Sequence, residues 1–311
     1  MKPVKDIRIE KGEKVSELIG KFGEAGGFVA QKFGDAAKIY NEMLADKECV
    51  KFFSFPACIV STGTRGVICD MVKNKLVDVI ITTCGTMDHD LARLWKDYYQ
   101  GYFEADDAEL HKKGINRLGN VFVPNDSYGI ILEKKIQPIL ERLYKQKKEW
   151  STKELVWAFG EAIKGEPSAE NSIAYWAWKN KIPVFIPGPT DGSWGAQMWM
   201  FYQTHRDFKI NLLQDEEDLS EIVFNAKKSG ALMLGGGISK HHVIWWNQFR
   251  NGLDYAIQIS TAPEWDGSLS GARTREAISW GKLREKAKHV TVEGDVTVLL
   301  PLLYAAALDS K

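Results

Sequence analysis

Short apolar runs rich in β-branched residues alternate along this chain with longer charged, amphipathic stretches, the pattern expected of a parallel sheet covered by helices. Residues 52–55, 77–82, 184–186, 210–213, 231–234 and 255–260 predict strands, with a further strand near residues 289–292. Three of these runs lead into glycine turns, at Gly85, at Gly188 to Gly192, and at Gly235-Gly236-Gly237. Ligands of open α/β sheets bind beyond the carboxyl ends of the strands, so a threefold repeat of this design points to a site there, although one such turn alone is as often an ordinary chain reversal. Between residues 105 and 151 the chain is charged, with a helix predicted over residues 130–145. Trp150-Ser151-Thr152-Lys153-Glu154 reads as a helix entry with a capping box. There is no linker, low-complexity segment or internal repeat. Residues 1–311 are therefore expected to form a single α/β domain.

Composition narrows the function. A chain of 311 residues can bury a self-sufficient core. Its 41 lysines and arginines balance its 41 aspartates and glutamates, leaving no long-range field to attract nucleic acid or anionic lipid. Cys49, Cys58, Cys69 and Cys84 form no C-x-x-C pair, which excludes the usual zinc and secreted-disulfide frameworks and fits a reducing cytoplasm. Residues 1–7 lack a signal-peptide run, and no window reaches the roughly 18 apolar residues of a membrane helix. The expectation is a soluble, cytoplasmic protein with no nucleic-acid or membrane partner.

No G-x-G-x-x-G follows a predicted strand, so any nucleotide must be held by other loops. Gly235-Gly236-Gly237 can bring backbone amides close to a phosphate because no Cβ intervenes. Lys240-His241-His242 follows it; a histidine taken alone is more often structural, and the adjacent pair lacks the spacing of a helical zinc site. Residues 261–273 pack acids, hydroxyls and glycines into one loop after a strand, a composition suited to ribose hydroxyls and amines. A helix predicted from Thr274 carries Glu276, Trp280 and Lys282. Helical geometry puts Glu276 and Trp280 on one face and Lys282 about 120° away from Glu276. Two arrangements stay open: Gly281 re-aims the lysine, or the groups converge from a helix end. An arbitrary lysine is a surface lysine. One walled by tryptophan loses water, which favours the neutral, nucleophilic amine that imine chemistry requires.

Ser279-Trp280-Gly281-Lys282, Gly235-Gly236-Gly237 with Lys240-His241-His242, and Asp266-Gly267-Ser268-Leu269-Ser270-Gly271-Ala272 resemble the deoxyhypusine synthase family. Thr82-Thr83-Cys84-Gly85, residues 114–120, residues 123–125 and Thr190-Asp191-Gly192-Ser193 extend the likeness in the same order, from about residue 20 to 307. The resemblance implies one Rossmann-like domain assembled as a homotetramer. It also implies a two-stage reaction in which NAD accepts a hydride from spermidine and the resulting imine is captured by a lysine as 1,3-diaminopropane leaves. The aminobutyl group then passes to a lysine of the hypusine-containing translation factor. By position the catalytic pair is Lys282 and His241, and the polyamine contacts are Glu276, Trp280, Asp88 and Ser270. The implied NAD contacts are Ser61, Thr83, Cys84, Gly85, Asp191, Gly236, Thr261, Ala262, Asp266, Ser268 and Asp295. No metal is implied.

The chain departs from eukaryotic members at Leu269 and Ala196, where they carry aspartate, and at Asp88-His89, where they carry an acidic pair, so it resembles an archaeal or bacterial member. Each lost carboxylate removes a charge-assisted partner for a substrate ammonium. Either Asp88, Asp90 or Glu264 has taken over, which the retention of Glu276, Trp280, His241 and Lys282 favours, or the pocket serves another amine. The alternative activity is that of a homospermidine synthase, with a small-amine acceptor. An NAD-binding subunit without catalysis is a third reading, disfavoured by Lys282 and His241.

Overall fold

Phe33, Ala36, Ala37, Tyr40 and Met43 recur at three- and four-residue spacing, with Ala37 beside Ala36, and form the buried face of helix α2 (Phe28–Ala45). Helix α1 (Val15–Glu24) packs on it at a pair of glycines, where a Cβ on Gly34 would lie 2.4 Å from the backbone nitrogen of Gly23. The structure, a computed structural model, describes residues 1–309. Its contacts divide the chain into two compact units.

Residues 1–55, 76–81 and those from 218 onward form the first unit. Its strands are β1 (Cys49–Ser54), β2 (Val79–Ile81), β3 (Lys228–Leu234), β4 (Leu253–Ser260) and β5 (Leu283–Glu293), ordered β5-β4-β3-β1-β2 and all parallel. In register, Ala231 lies between Phe52 and Ala256. The unit also holds α3 (Gly237–Gln248), α4 (Glu276–Ser279) and α5 (Val296–Asp309), the last packed on α1 and α2. A Cβ on Gly230 would meet Met43 of α2, whereas Met233, three residues on, lines a cavity with Ile244 of α3. Odd spacing on a strand reverses the face, so α2 and α3 cover opposite faces of the sheet. That two-sided cover explains why the strands read as unbroken apolar runs. The α/β expectation, a mainly parallel sheet flanked by helices, holds.

Residues 56–75 and 82–217 form the second unit, mainly helical. Its helix Thr152–Ala162 opens with the capping box expected: Ser151 Oγ accepts from the Glu154 amide at 3.2 Å, and Glu154 Oε2 accepts from the Ser151 amide at 2.9 Å. The helix predicted over residues 130–145 spans Gly129–Gln146. Among the described residues no helix is long and apolar enough to cross a membrane.

Three expectations need correction. The strand at residues 210–213 is only Lys209–Ile210; Asn211 Oδ1 accepts from the Gln214 amide at 3.0 Å and starts the helix Leu212–Asn225 instead. The charged region contains the antiparallel hairpin Ile115–Leu118 and Val121–Pro124, turned at Gly119, whose φ is +62°, and Tyr99–Gln100 from just before the region joins it as a third strand. The helix from Thr274 ends at Ser279, before Trp280 and Lys282.

Candidate active site

Four segments of the first unit build a cavity of about 320 Å³. Strand β3 ends in the turn Gly235-Gly236-Gly237, with φ of +66° at both Gly235 and Gly237, and α3 follows at once. The α3 residues Lys240, His241, Ile244 and Trp245 face the cavity, with Met233 beneath them on β3. The loop after β4 supplies Leu269, Ala272 and Arg273. The segment around α4 supplies Thr274, Glu276, Ala277, Trp280 and Lys282.

Gly281 brings the lysine in. At φ +68° it takes the left-handed conformation that favours glycine, its amide donates to the Ile278 carbonyl at 2.9 Å, and the Lys282 amide donates to the Ala277 carbonyl at 2.9 Å. The chain reverses, and Lys282 enters β5 through its carbonyl, which accepts from the Leu253 amide at 3.0 Å. Both arrangements left open are present: the helix ends at Ser279, and Gly281 re-aims the lysine beyond that end. Lys282 Nζ sits 5.0 Å from the centre of the Trp280 ring. Trp280 is 66% exposed, so it walls the lysine without burying it.

His241 stacks on Trp245 at 5.8 Å. Burial, then the nearby Lys282, holds its imidazole below the usual range, which favours the neutral ring. Lys240 is almost wholly buried; burial pushes its amine down to about 8, with Glu276 opposing. Its Nζ donates to the carbonyls of Leu269, at 2.8 Å, and Ala272. This role was missed in the sequence, where Lys240 stands out only as a cation beside His241. The cavity thus holds Lys240, Arg273 and Lys282 against the single carboxylate of Glu276. Arg273 Nη1 is buried without a hydrogen-bond partner.

The other candidates of this unit surround the same loops. A Cβ on Gly236 would lie 2.2 Å from Ser270 Cα, so only glycine permits the approach of turn and loop. The Ser270 carbonyl accepts from Ser260 Oγ at 3.0 Å. Asp266 Oδ1 accepts from the Ser268 amide at 2.7 Å; the Ser268 hydroxyl first, and then this amide, hold its carboxyl below the usual range, and Ser268 Oγ accepts from the Gly271 amide at 3.1 Å. Asp295 Oδ1 accepts from the Thr297 amide at 2.8 Å at the start of α5. Thr261 is exposed and Ala262 half-buried beyond β4.

In the second unit, Asp88 is buried among bonds of its own: Oδ2 accepts from Tyr128 Oη at 2.6 Å and the Ser193 amide at 2.8 Å, and Oδ1 accepts from the Trp194 amide at 2.6 Å. Burial raises its carboxyl above the usual range against these donors. Cys84 Sγ donates to the Pro189 carbonyl at 3.0 Å, and burial pushes the thiol up to about 12. Thr83 Oγ1 accepts from the Ala57 amide at 3.1 Å, Ser61 Oγ donates to the Cys58 carbonyl at 2.6 Å, and Gly85 opens the helix Gly85–Trp95. Asp191 and Ala196 are exposed. His89 shares a 3.0 Å hydrogen bond with Tyr98, and burial pushes it down to about 4, so it brings no charge. Asp90 is taken by Arg65 at 2.9 Å and by Ser172, and in the first unit Glu264 pairs with Arg275. Every acid offered as a replacement for the lost carboxylates is thus already engaged.

The family model for deoxyhypusine synthase matches residues 17–307. The chain belongs to the deoxyhypusine synthase family. It is 60% identical over 306 residues to a Picrophilus torridus protein named "Probable deoxyhypusine synthase", covering 98% of this chain and 97% of that one. A Thermoplasma acidophilum protein of the same name is 55% identical over 307 residues, covering 99% and 97%. The fold also matches the crystal structure of an Entamoeba histolytica protein described as a "putative deoxyhypusine synthase", with a TM-score of 0.71 at 21% identity over 98% of this chain and 97% of that one. No finding favours the homospermidine synthase alternative. As a family member the chain is an enzyme, an aminobutyltransferase.

Proposed function

We propose that the chain carries the 4-aminobutyl group of spermidine, as an imine on Lys282, to a lysine of the hypusine-containing translation factor, using NAD. The supporting observation is the convergence of Lys282, Glu276, Trp280 and His241 on one cavity from separate segments of a deoxyhypusine synthase family chain. NAD, when bound, supplies acceptance and return of a hydride. The residues suit it: the Gly236 turn leaves no room for a side chain, Gly237 has open space where a Cβ would stand, and Asp266 and Asp295 present exposed carboxylates for ribose hydroxyls.

The chain's own residues do the rest. Glu276 pairs with the substrate ammonium, while Met233, Ile244 and Leu269 receive the methylene chain. The Lys282 amine forms the new C–N bond at the imine carbon, and the bond from that carbon to the departing diamine nitrogen breaks. Neutral His241 takes the proton lost by Lys282 and returns it to the leaving nitrogen. The free thiols of all four cysteines support a cytoplasmic location. Exposed Trp199, Trp245 and Phe249 support assembly, which we read as a homotetramer. The family match spans segments of both units without interruption, which supports treating the chain as one domain.

Borohydride trapping during turnover tests the reading. A butylamine adduct on Lys282 is expected by mass spectrometry, and its absence while the butyl group still transfers would overturn the covalent route.

A further inference from the structure

Strand β4 lies between β3 and β5, and along its buried stretch Gln258 is a fully buried polar residue flanked by Ile257 and Ile259. A buried amide is tolerated only where its hydrogen bonds are met. Gln258 Nε2 donates to the Ser270 carbonyl at 3.0 Å and, more weakly, to the Gly235 carbonyl at 3.3 Å. Its Oε1 accepts from Thr291 Oγ1 at 3.4 Å, and Thr291 Oγ1 in turn accepts from the Thr274 amide at 3.1 Å. The Thr274 hydroxyl lies 2.9 Å from His289 Nδ1, which ends the chain of contacts.

The three segments joined in this way are the glycine turn read as cofactor-binding and two of the segments that build the cavity: the loop carrying Ser268 and Ser270, and the stretch from Thr274 that carries Glu276 and Lys282. We propose that Gln258 is a positioning residue of this enzyme, an amide that ties these three segments into one preformed site. The inference rests on the reading of turn and loop as cofactor-binding. The near contact between Gly236 and Ser270 gives it a mechanical basis, because Gln258 donates to a carbonyl on each side of that approach, Gly235 and Ser270. A leucine at this position fills similar space but leaves both carbonyls without that donor.

The test uses the full chain and the variants Gln258→Leu and Gln258→Glu. NAD affinity is read by calorimetry, and amide hydrogen exchange at residues 235–237 and 266–272 by mass spectrometry. Gln258→Leu is expected to weaken NAD about tenfold, ~1.4 kcal/mol, and to speed exchange in those two segments only. A protonated glutamic acid regains one O–H donor for the Ser270 carbonyl, so Gln258→Glu should recover affinity as pH falls from about 8 to about 6. The charged and titratable groups on the elements packed against this network, His289 and Glu293 on β5, Lys240 and His241 on α3, Arg273 in the loop after β4 and Glu276 on α4, are common to both variants, so Gln258→Leu serves as the control for them. A role confined to packing would lower thermal stability without that pH-dependent recovery. If Gln258→Leu fails to fold, Gln258→Glu alone carries the test: NAD affinity and exchange protection at residues 266–272 that both recover as pH falls support the proposal, and values that do not change with pH overturn it. Folded variants with wild-type affinity and wild-type exchange would overturn it. A wild-type chain that binds no NAD overturns the cofactor reading instead, and the exchange measurement still decides the role of Gln258.

Discussion

Lys282 and Lys240 share one cavity and differ in what holds them. Lys282 is half-buried with its amine over one face of Trp280, whereas Lys240 is enclosed with two carbonyls as partners. Arginine at position 282 would keep the charge but lose the nucleophile, so Lys282→Arg should abolish both the trapped adduct and transfer, a loss of several orders of magnitude in kcat/KM. Lys240 makes a separate prediction about stability. Burial lowers its amine from the ordinary lysine value of 10.5 to about 8, so between those two values the unfolded chain binds the extra proton and folding stability rises with pH. A neutral amine still has two N–H groups for the Leu269 and Ala272 carbonyls. The thermal midpoint of the wild type should therefore gain on that of Lys240→Met as pH rises through this window; a constant difference would show that Lys240 is not depressed. Leu269 makes the third. With Asp88, Asp90 and Glu264 engaged elsewhere, Glu276 is the carboxylate left in the cavity, so Leu269→Asp should raise kcat/KM for spermidine. An unchanged value would mean that the ammonium finds its partner from another source.

At the scale of elements, the carboxylate of Asp88 caps the helix Ser193–Tyr202 and receives Tyr128. Asp88→Ala leaves two amides and a phenol without their acceptor and should cost roughly 2–4 kcal/mol, measured by denaturant unfolding; a loss under about 0.5 kcal/mol would contradict this capping role. The inner strands of the parallel sheet were legible in the sequence because burial on both faces favours apolar residues along them, whereas only the end of the edge strand β5, near residues 289–292, was legible because its first half is charged and exposed; the capping box was legible because both partners lie within four residues. The antiparallel sheet was not recognised, although Gly119-Asn120 between two short runs is a hairpin signal, because its strands are only two to four residues long and its hairpin closely follows the charged helix Asp107–Lys112. The end of α4 at Ser279 was beyond reach for another reason. Gly281 is compatible with a helix or a reversal, and what decides is the bond from the Leu253 amide to Lys282, a contact distant in sequence. Lys282, His241, Glu276 and Trp280 were legible as a set through the order of their motifs. The ties made by Lys240 and Gln258 were not, since each depends on carbonyls that only the folded loop presents.

For the whole molecule, the family match along residues 17–307 and the cavity in the first unit bear on one activity. Its acceptor separates the two amine-transfer readings, because the lysine chemistry is common to both and only the destination of the butyl group differs. If the exposed Trp199, Trp245 and Phe249 mark subunit contacts, light scattering should give a mass of about four chains, and a monomer at working concentration would remove the homotetramer reading. The most direct test supplies spermidine labelled in its butyl carbons, together with NAD, the hypusine-containing translation factor and putrescine as a competing small acceptor. The account predicts label on one lysine of the translation factor, dependent on Lys282 of the enzyme. Label found only in a free polyamine, with the translation factor present and unmodified, would contradict it.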